Sequence, residues 1–156
     1  MIEIAVPGRG HLSLEVLVLD YNGTLALDGI LPDHVKKKIT LLANLLEIHI
    51  ITSDTFGSVA LQCKGLPVKI TVLTTNNHVQ EKADHLTQLG ERMVVAIGNG
   101  ANDELMLQKA QLGILILGTE GCSSRALAAS DIVVKDIIDA LDLLLKPQRL
   151  IATLRC

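Results

Sequence analysis

The sequence predicts an α/β fold, a doubly wound, mainly parallel sheet with helices on both faces. Short apolar runs alternate along the chain with helix-period segments, which implies βαβ units. Runs such as "VLVLD", "MVVAIG" and "LGILIL" are apolar at nearly every position, as in strands covered on both sides. Several runs end on polar or glycine residues, and in open parallel sheets ligands bind beyond those strand ends.

The elements follow in order. "IEIAV" and "LSLEVLVLD" read as strands joined around "PGRG", as in a hairpin. "LPDHVKKKITLLANLL" reads as a helix, with Pro32 and Asp33 in its first turn and positions 35, 39, 42, 45 and 46 on one apolar face. "EIHIIT" is a strand, "DTFGSVALQC" a helix with Asp54 as its N-cap, and "VKITVLT" a strand. "NHVQEKADHLTQLG" is a helix that Gly90 ends, and "RMVVAIG" a strand. "NDELMLQKA", "LGILIL", "SSRALAA" and "DIVV" continue the alternation. Pro147 closes the helix "DIIDALDLLL".

The 156 residues suit one domain spanning 1–156. Hydrophobic residues make up 49% and charged residues 20%, so the chain is expected to be globular. A net charge of -3 gives no broad drive toward nucleic acid or an anionic membrane. Tyr21 and Phe56 are the only aromatics, which argues against base stacking. No apolar run approaches the roughly 18 residues of a membrane span. The first residues carry Glu3 and Arg9 without a long apolar stretch, so no secretory signal is expected. Cys63, Cys122 and Cys156 are scattered and odd in number, without a CxxC pair, and read as reduced thiols. A cytoplasmic location is the expectation.

The chemistry gathers at three strand ends. Asp20 follows four apolar residues and precedes the turn "YNGT". A carboxylate there can act as a nucleophile or hold a metal, or simply bond the backbone of its own turn. In "GNGAND", Gly98 and Gly100 begin a dinucleotide-type loop, but Asp103 stands where the third glycine belongs and would repel a pyrophosphate. A carboxylate and two amides in a glycine-rich loop suit a hydrated Mg²⁺ better. Thr52 and Ser53 end a third strand, where hydroxyls and a helix N-terminus can bind phosphate or merely cap the helix. By itself a lysine within a helix, such as Lys82, is a solvated charge, and His78 and His85 on its face read as surface residues.

The ordered set "DYNGT", Thr52, Lys82 and "GNGAND" resembles the haloacid dehalogenase (HAD) superfamily of phosphohydrolases. It is especially similar to the phosphorylation domain of P-type ATPases and to small soluble proteins that look like that domain alone. The resemblance covers residues 16–152. It implies a cap-less core, a Mg²⁺ cofactor and a phosphorylated substrate. Asp20 would be the nucleophile and a metal ligand, and Thr52 and Ser53 would bind the phosphoryl group. Lys82 would pair with Asp20 and the phosphate. Asp103, Asn99 and the Asn22 carbonyl would serve the metal, and Asn102 would hydrogen-bond nearby.

Two positions depart from that pattern. Asn22 stands where family phosphatases carry an acid–base Asp, which removes help worth roughly 10²–10⁴-fold. Asn99 replaces a usual metal-binding Asp. Phosphorylation of Asp20 is therefore expected to outpace dephosphorylation. The alternative is a non-catalytic or barely catalytic phosphate- or protein-binding module. Only residues 21–51 separate Asp20 from Thr52, which leaves no room for an inserted cap or nucleotide domain. Other cap-less members of the family often build part of the site with a neighbouring subunit, so what the resemblance implies here is a homo-oligomer.

Overall fold

A computed structural model describes residues 1–54 and 57–156. The chain opens with an antiparallel hairpin of β1 (Ile2–Val6) and β2 (Gly10–Leu14). Next come β3 (Val16–Asp20), α1 (Asp33–Leu42), β4 (Glu47–Thr52), α2 (Ser58–Gln62) and β5 (Lys69–Val72). α3 (His78–Leu89), β6 (Val94–Gly98), α4 (Glu104–Lys109) and β7 (Leu112–Ile116) follow. α5 (Ser124–Ala129), β8 (Ile132–Val134), α6 (Ile137–Leu145) and α7 (Pro147–Leu154) complete the chain.

The main sheet has six strands in the order β5-β4-β3-β6-β7-β8, all parallel, as the apolar runs predict. Every residue of β3, β6 and β7 is buried, and alternate residues enter two different cores. Leu17, Leu19, Val95 and Ile97 join residues of α1, α6, α7 and the hairpin in one core. Val16, Val18, Val94 and Ala96 meet Leu86 of α3, Met106 and Leu107 of α4, and Ala126 of α5 in the other. The period-2 pleat thus divides one apolar run between two helix layers.

From β3 the chain builds outward to β4 and β5, then returns to β6 on the other side of β3. The strand order therefore switches between β3 and β6, where the carboxyl ends of adjacent strands open a crevice. Leu19 pairs with Ile97, so Asp20 and Gly98 come next on either side of that crevice. Asp20 pairs with Ile51 on the other neighbour, which puts Thr52 one residue further along.

Four local readings of the sequence are corrected. Residues 12–20 form two strands, because the backbone changes partners at Glu15. Its N–H donates to Met93 and its carbonyl accepts from Glu47, which moves the chain from the hairpin into the main sheet. α1 stops at Leu42 instead of running to residue 46, where the Asn44 amide takes the Thr40 and Leu41 carbonyls. α2 begins at Ser58 after Gly57, not at Asp54. The Asp54 carboxylate still accepts from the Val59 N–H at 2.9 Å, so it satisfies that helix end from outside. Residues 55 and 56 of that predicted helix lie outside the described residues. Pro147 begins α7 as well as following α6. A first-turn proline lacks only an N–H that the helix would leave unpaired, and Leu150 and Leu154 bury α7.

Candidate active site

Strand parity decides where Asp20 points. It shares a face with Val16 and Val18, so its carboxylate meets the helix layer that includes α3. Lys82 comes from that layer, flanked along α3 by the buried Ala83 and Leu86. Its side chain is wholly buried at 1% exposure, unlike the solvated charge that a helical lysine is when taken by itself. Lys82 Nζ donates to Asp20 Oδ1 and to Asp103 Oδ1, each at 2.6 Å. Lys69 and Lys109, by contrast, are exposed and pair with Glu47 and Glu91.

Asp103 is held by its own loop. Its Oδ2 accepts from the Asn99 and Gly100 N–H groups, both at 2.9 Å. Gly98 makes room for it, since a Cβ at Gly98 would fall 2.5 Å from Asp103 Cγ. The glycine of "GNGAND" is thus required by the carboxylate packed beneath it. Thr24 closes the other side. Its hydroxyl lies 3.2 Å from Asp20 Oδ2 and 3.2 Å from Asn99 Oδ1, and its single proton serves one at a time.

Burial pushes the Asp20 carboxyl up to about 6, reinforced by the charge of Asp103 and opposed by Lys82. Burial alone would lower the Lys82 ammonium, but Asp20 and Asp103 together hold it above its ordinary range. With both acids ionised, the trio has a net negative charge, which opposes entry of a phosphate.

The remaining predicted residues surround this trio. Thr52 is buried at the end of β4, and its Oγ1 accepts from the Asp54 N–H at 3.1 Å. Ser53 and Asn22 are exposed, and Asn102 is half-buried in the 3₁₀ turn Ala101–Asp103. Among the described residues no hydrogen bond joins Thr52, Ser53, Asn22 or Asn102 to the Asp20 carboxylate. Thr24 is the last letter of "DYNGT", and nothing in the sequence alone marks its role beside Asp20. Glu120, in the loop after β7, had no signal in the sequence. The packing of that loop brings its Oε2 to 2.5 Å from where a Cβ on Gly23 would sit.

His78 and His85 are half-buried, which corrects their reading as surface residues. His85 Nε2 lies 3.2 Å from Nδ1 of the buried His49.

Among the described residues no three His, Cys, Asp or Glu side chains converge as a metal cage. Two side-chain oxygens meet around Thr24 at the crevice, Asp20 Oδ2 and Asn99 Oδ1. That set fits a hard cation that keeps most of its waters, as Mg²⁺ does. A cavity of about 260 Å³ opens beside Thr24, lined by Gly23, Leu27, Ile116, Gly118 and Ile137 among others. A larger hollow of about 570 Å³ lies at the opposite end of the sheet, near Glu47 and Lys69, away from this chemistry.

No family model matches the chain. It is 59% identical over 64 residues to the uncharacterized protein MJ0073 of Methanocaldococcus jannaschii, an alignment spanning 41% of this chain and 69% of that one. The chain belongs to the family of this archaeal protein. A second uncharacterized protein of that organism, MJ0072, is 42% identical over 40 residues, 26% of this chain and 91% of its own length. The phospholipid-transporting ATPase tat-1 of Caenorhabditis elegans is 33% identical over 87 residues, 54% of this chain but 7% of the transporter. Among the described residues no helix is long and apolar enough to cross a membrane.

The structural neighbours are HAD-superfamily phosphatases. The cobalt-bound deoxy-D-mannose-octulosonate 8-phosphate phosphatase of Haemophilus influenzae matches with a TM-score of 0.72 at 13% identity, covering 88% of this chain and 90% of that one. The Moraxella catarrhalis 3-deoxy-D-manno-octulosonate 8-phosphate phosphatase, in complex with magnesium, phosphate and KDO, matches at 0.66 and 21% identity, covering 91% and 94%. A phosphoserine phosphatase of T. onnurineus matches at 0.64 and 13%, covering 86% and 96%. At these identities the likeness establishes the family's α/β fold, as the sequence predicts.

Proposed function

We propose that the chain is a Mg²⁺-dependent phosphohydrolase in which Asp20 is the nucleophile. The observation that carries this is the buried Lys82 ammonium bridging Asp20 and Asp103 at the switch point of a parallel sheet. In the proposed reaction an Asp20 carboxylate oxygen attacks phosphorus in line. The bond from phosphorus to the leaving oxygen breaks as the aspartyl phosphate forms. Water then attacks the aspartyl phosphate, releasing phosphate and restoring Asp20. Lys82 offsets charge on Asp20 and the phosphoryl oxygens, and Thr24 orients Asp20 Oδ2. Thr52, Ser53 and Asn102 are proposed to bind the phosphoryl group. Asp20, Asn99 and the Asn22 carbonyl would hold the ion, with Asp103 fixing their loop. When bound, the ion supplies positive charge that reverses the net charge of the crevice.

Two neighbours contain Mg²⁺ or cobalt, and the named phosphatases act on small phosphorylated molecules, which supports the same class of substrate here. The likeness to a phospholipid-transporting ATPase, over 7% of that protein, lends weak support to the P-type-like part of the resemblance. Hydrolysis of acetyl phosphate and p-nitrophenyl phosphate, with Mg²⁺ and with EDTA, tests the proposal. Turnover that requires Mg²⁺ is expected, and its absence in well-folded protein would favour a phosphate- or protein-binding module.

Asn22 cannot give a proton to the leaving oxygen or take one from the attacking water. The phosphoenzyme is therefore proposed to form faster than it breaks down. Asn22→Asp is expected to raise turnover of p-nitrophenyl phosphate modestly and of an alkyl phosphate by roughly 10²–10⁴-fold, the range of general acid catalysis. Equal gains on both substrates would refute the acid–base role of this position. The exposed surround of Asn22 and Ser53 leaves the crevice open, and a second copy of the chain is proposed to cover it. A strict monomer by light scattering would remove that part.

A further inference from the structure

We propose, on the reading of Asp20 as a cation-assisted nucleophile, that Glu120 is a carboxylate of the divalent-cation site, acting through a water of the ion. The cation site is poor in negative charge without it. Both Asp103 oxygens are engaged, one by Lys82 and the other by two backbone N–H groups. Asp20 Oδ1 is likewise taken by Lys82. Among the described residues of the trio, Asp20 Oδ2 is the carboxylate oxygen that neither Lys82 nor a backbone N–H engages, and it is shared with the Thr24 hydroxyl. Asn22 and Asn99 contribute neutral oxygens. A divalent cation facing one carboxylate oxygen and several amides is weakly held.

Glu120 is the acid that the fold brings to this gap. A Cβ built on Gly23 would fall 2.5 Å from Glu120 Oε2 and 2.7 Å from Asn99 Nδ2. The carboxylate and the amide thus lie over one point of the nucleophile loop. Gly23, with φ +75°, admits both. The loop bearing Glu120 is fixed from several sides. Leu117 and Gly118 N–H groups donate to Val134 and Lys135 at 2.9 and 2.8 Å. Ser123 N–H donates to the Asn99 carbonyl at 2.9 Å, and Asn99 Nδ2 donates to the Gly121 carbonyl at 3.5 Å. Asn99 therefore ties the Glu120 loop to the cation loop through its backbone and its side chain. Among the described residues Glu120, Asp20 and Asp103 do not converge closely enough to form a direct cage. A Mg²⁺-sized ion keeps several waters, and a carboxylate accepting from one of them strengthens binding without touching the metal.

The test is Mn²⁺ binding, followed by electron paramagnetic resonance and calorimetry on the full chain. Wild type, Asp20→Asn, Glu120→Gln and the hairpin control Glu3→Gln are compared. Glu120 and Glu3 are both exposed, so their amide variants are expected to fold. Asp20→Asn should abolish binding. Glu120→Gln should weaken it by roughly 10–100-fold, the range for outer-shell ligands, and Glu3→Gln should leave it unchanged. Wild-type affinity in Glu120→Gln, with Asp20→Asn still defective, would overturn the role of Glu120 while leaving the cation reading intact. Equal weakening by Glu3→Gln would also overturn it, by reducing the effect to net charge. Absence of Mn²⁺ binding in wild type would refute the cation reading and this proposal together.

Discussion

Asp20→Asn is expected to abolish phosphatase turnover and, in the same protein, to stabilise the metal-free fold at neutral pH. The two effects share a cause. Asp20 is held as a buried carboxylate beside another, so its folded pKa of about 6 lies above the ordinary 3.8. The folded state then binds this proton more tightly than the unfolded chain does. The resulting stabilisation is full below about 3.8 and is lost as pH rises through about 6. Asparagine resembles the protonated form and has no such loss. It also leaves Lys82 paired with Asp103. The gain over wild type should be near zero at pH 4 and on the order of 1–3 kcal/mol at pH 8. Urea unfolding in EDTA at the two pH values measures it. An asparagine variant less stable than wild type at pH 8 would mean that attraction to Lys82 outweighs burial.

Lys82→Ala is expected to damage both activity and fold. From the sequence, loss of Lys82 is expected to cripple activity while leaving the fold intact. In the structure its removal leaves two buried acids facing each other without a cation. Breaking a buried ion pair from one side costs about 3–5 kcal/mol. Alanine is the best helix former, so helix propensity adds no penalty, and the loss reports on the charges together with the buried aliphatic stem. The loss should shrink toward pH 5, where one acid can take up a proton. Turnover should fall by about 10²–10³-fold or more, the range for removing one preorganised charge-stabilising donor. Stability within about 0.5 kcal/mol of wild type, the usual effect of surface substitutions, would show that Lys82 does not bridge the acids.

Much of the fold was legible because burial on both faces leaves a plain signature. Val16–Asp20, Val94–Gly98 and Leu112–Ile116 are apolar almost throughout, and all three are central strands. The break at Glu15 was hidden because strands of two different sheets meet there without a turn residue. α7 was hidden because a proline both stops and starts helices, and only the burial of Leu150 and Leu154 settles which. At the candidate site, Asp20 and Asp103 stood out as charges at the ends of apolar runs. Lys82 was legible only through the ordered resemblance, since nothing local distinguishes a lysine whose partners lie 62 and 21 residues away. Glu120 was still less visible, because its position depends on loops meeting across the switch point.

The central claim is that Asp20 takes the phosphoryl group. Wild type and Asp20→Asn should be incubated with acetyl phosphate and Mg²⁺, quenched in acid, and weighed intact by mass spectrometry. One added phosphoryl group is expected in wild type, removable by hydroxylamine, as for an acyl phosphate, and absent from Asp20→Asn. Persistence in Asn22-bearing wild type and rapid loss in Asn22→Asp would accord with slow dephosphorylation. A hydroxylamine-sensitive adduct of equal yield in Asp20→Asn would contradict the claim, because the nucleophile would then be another residue.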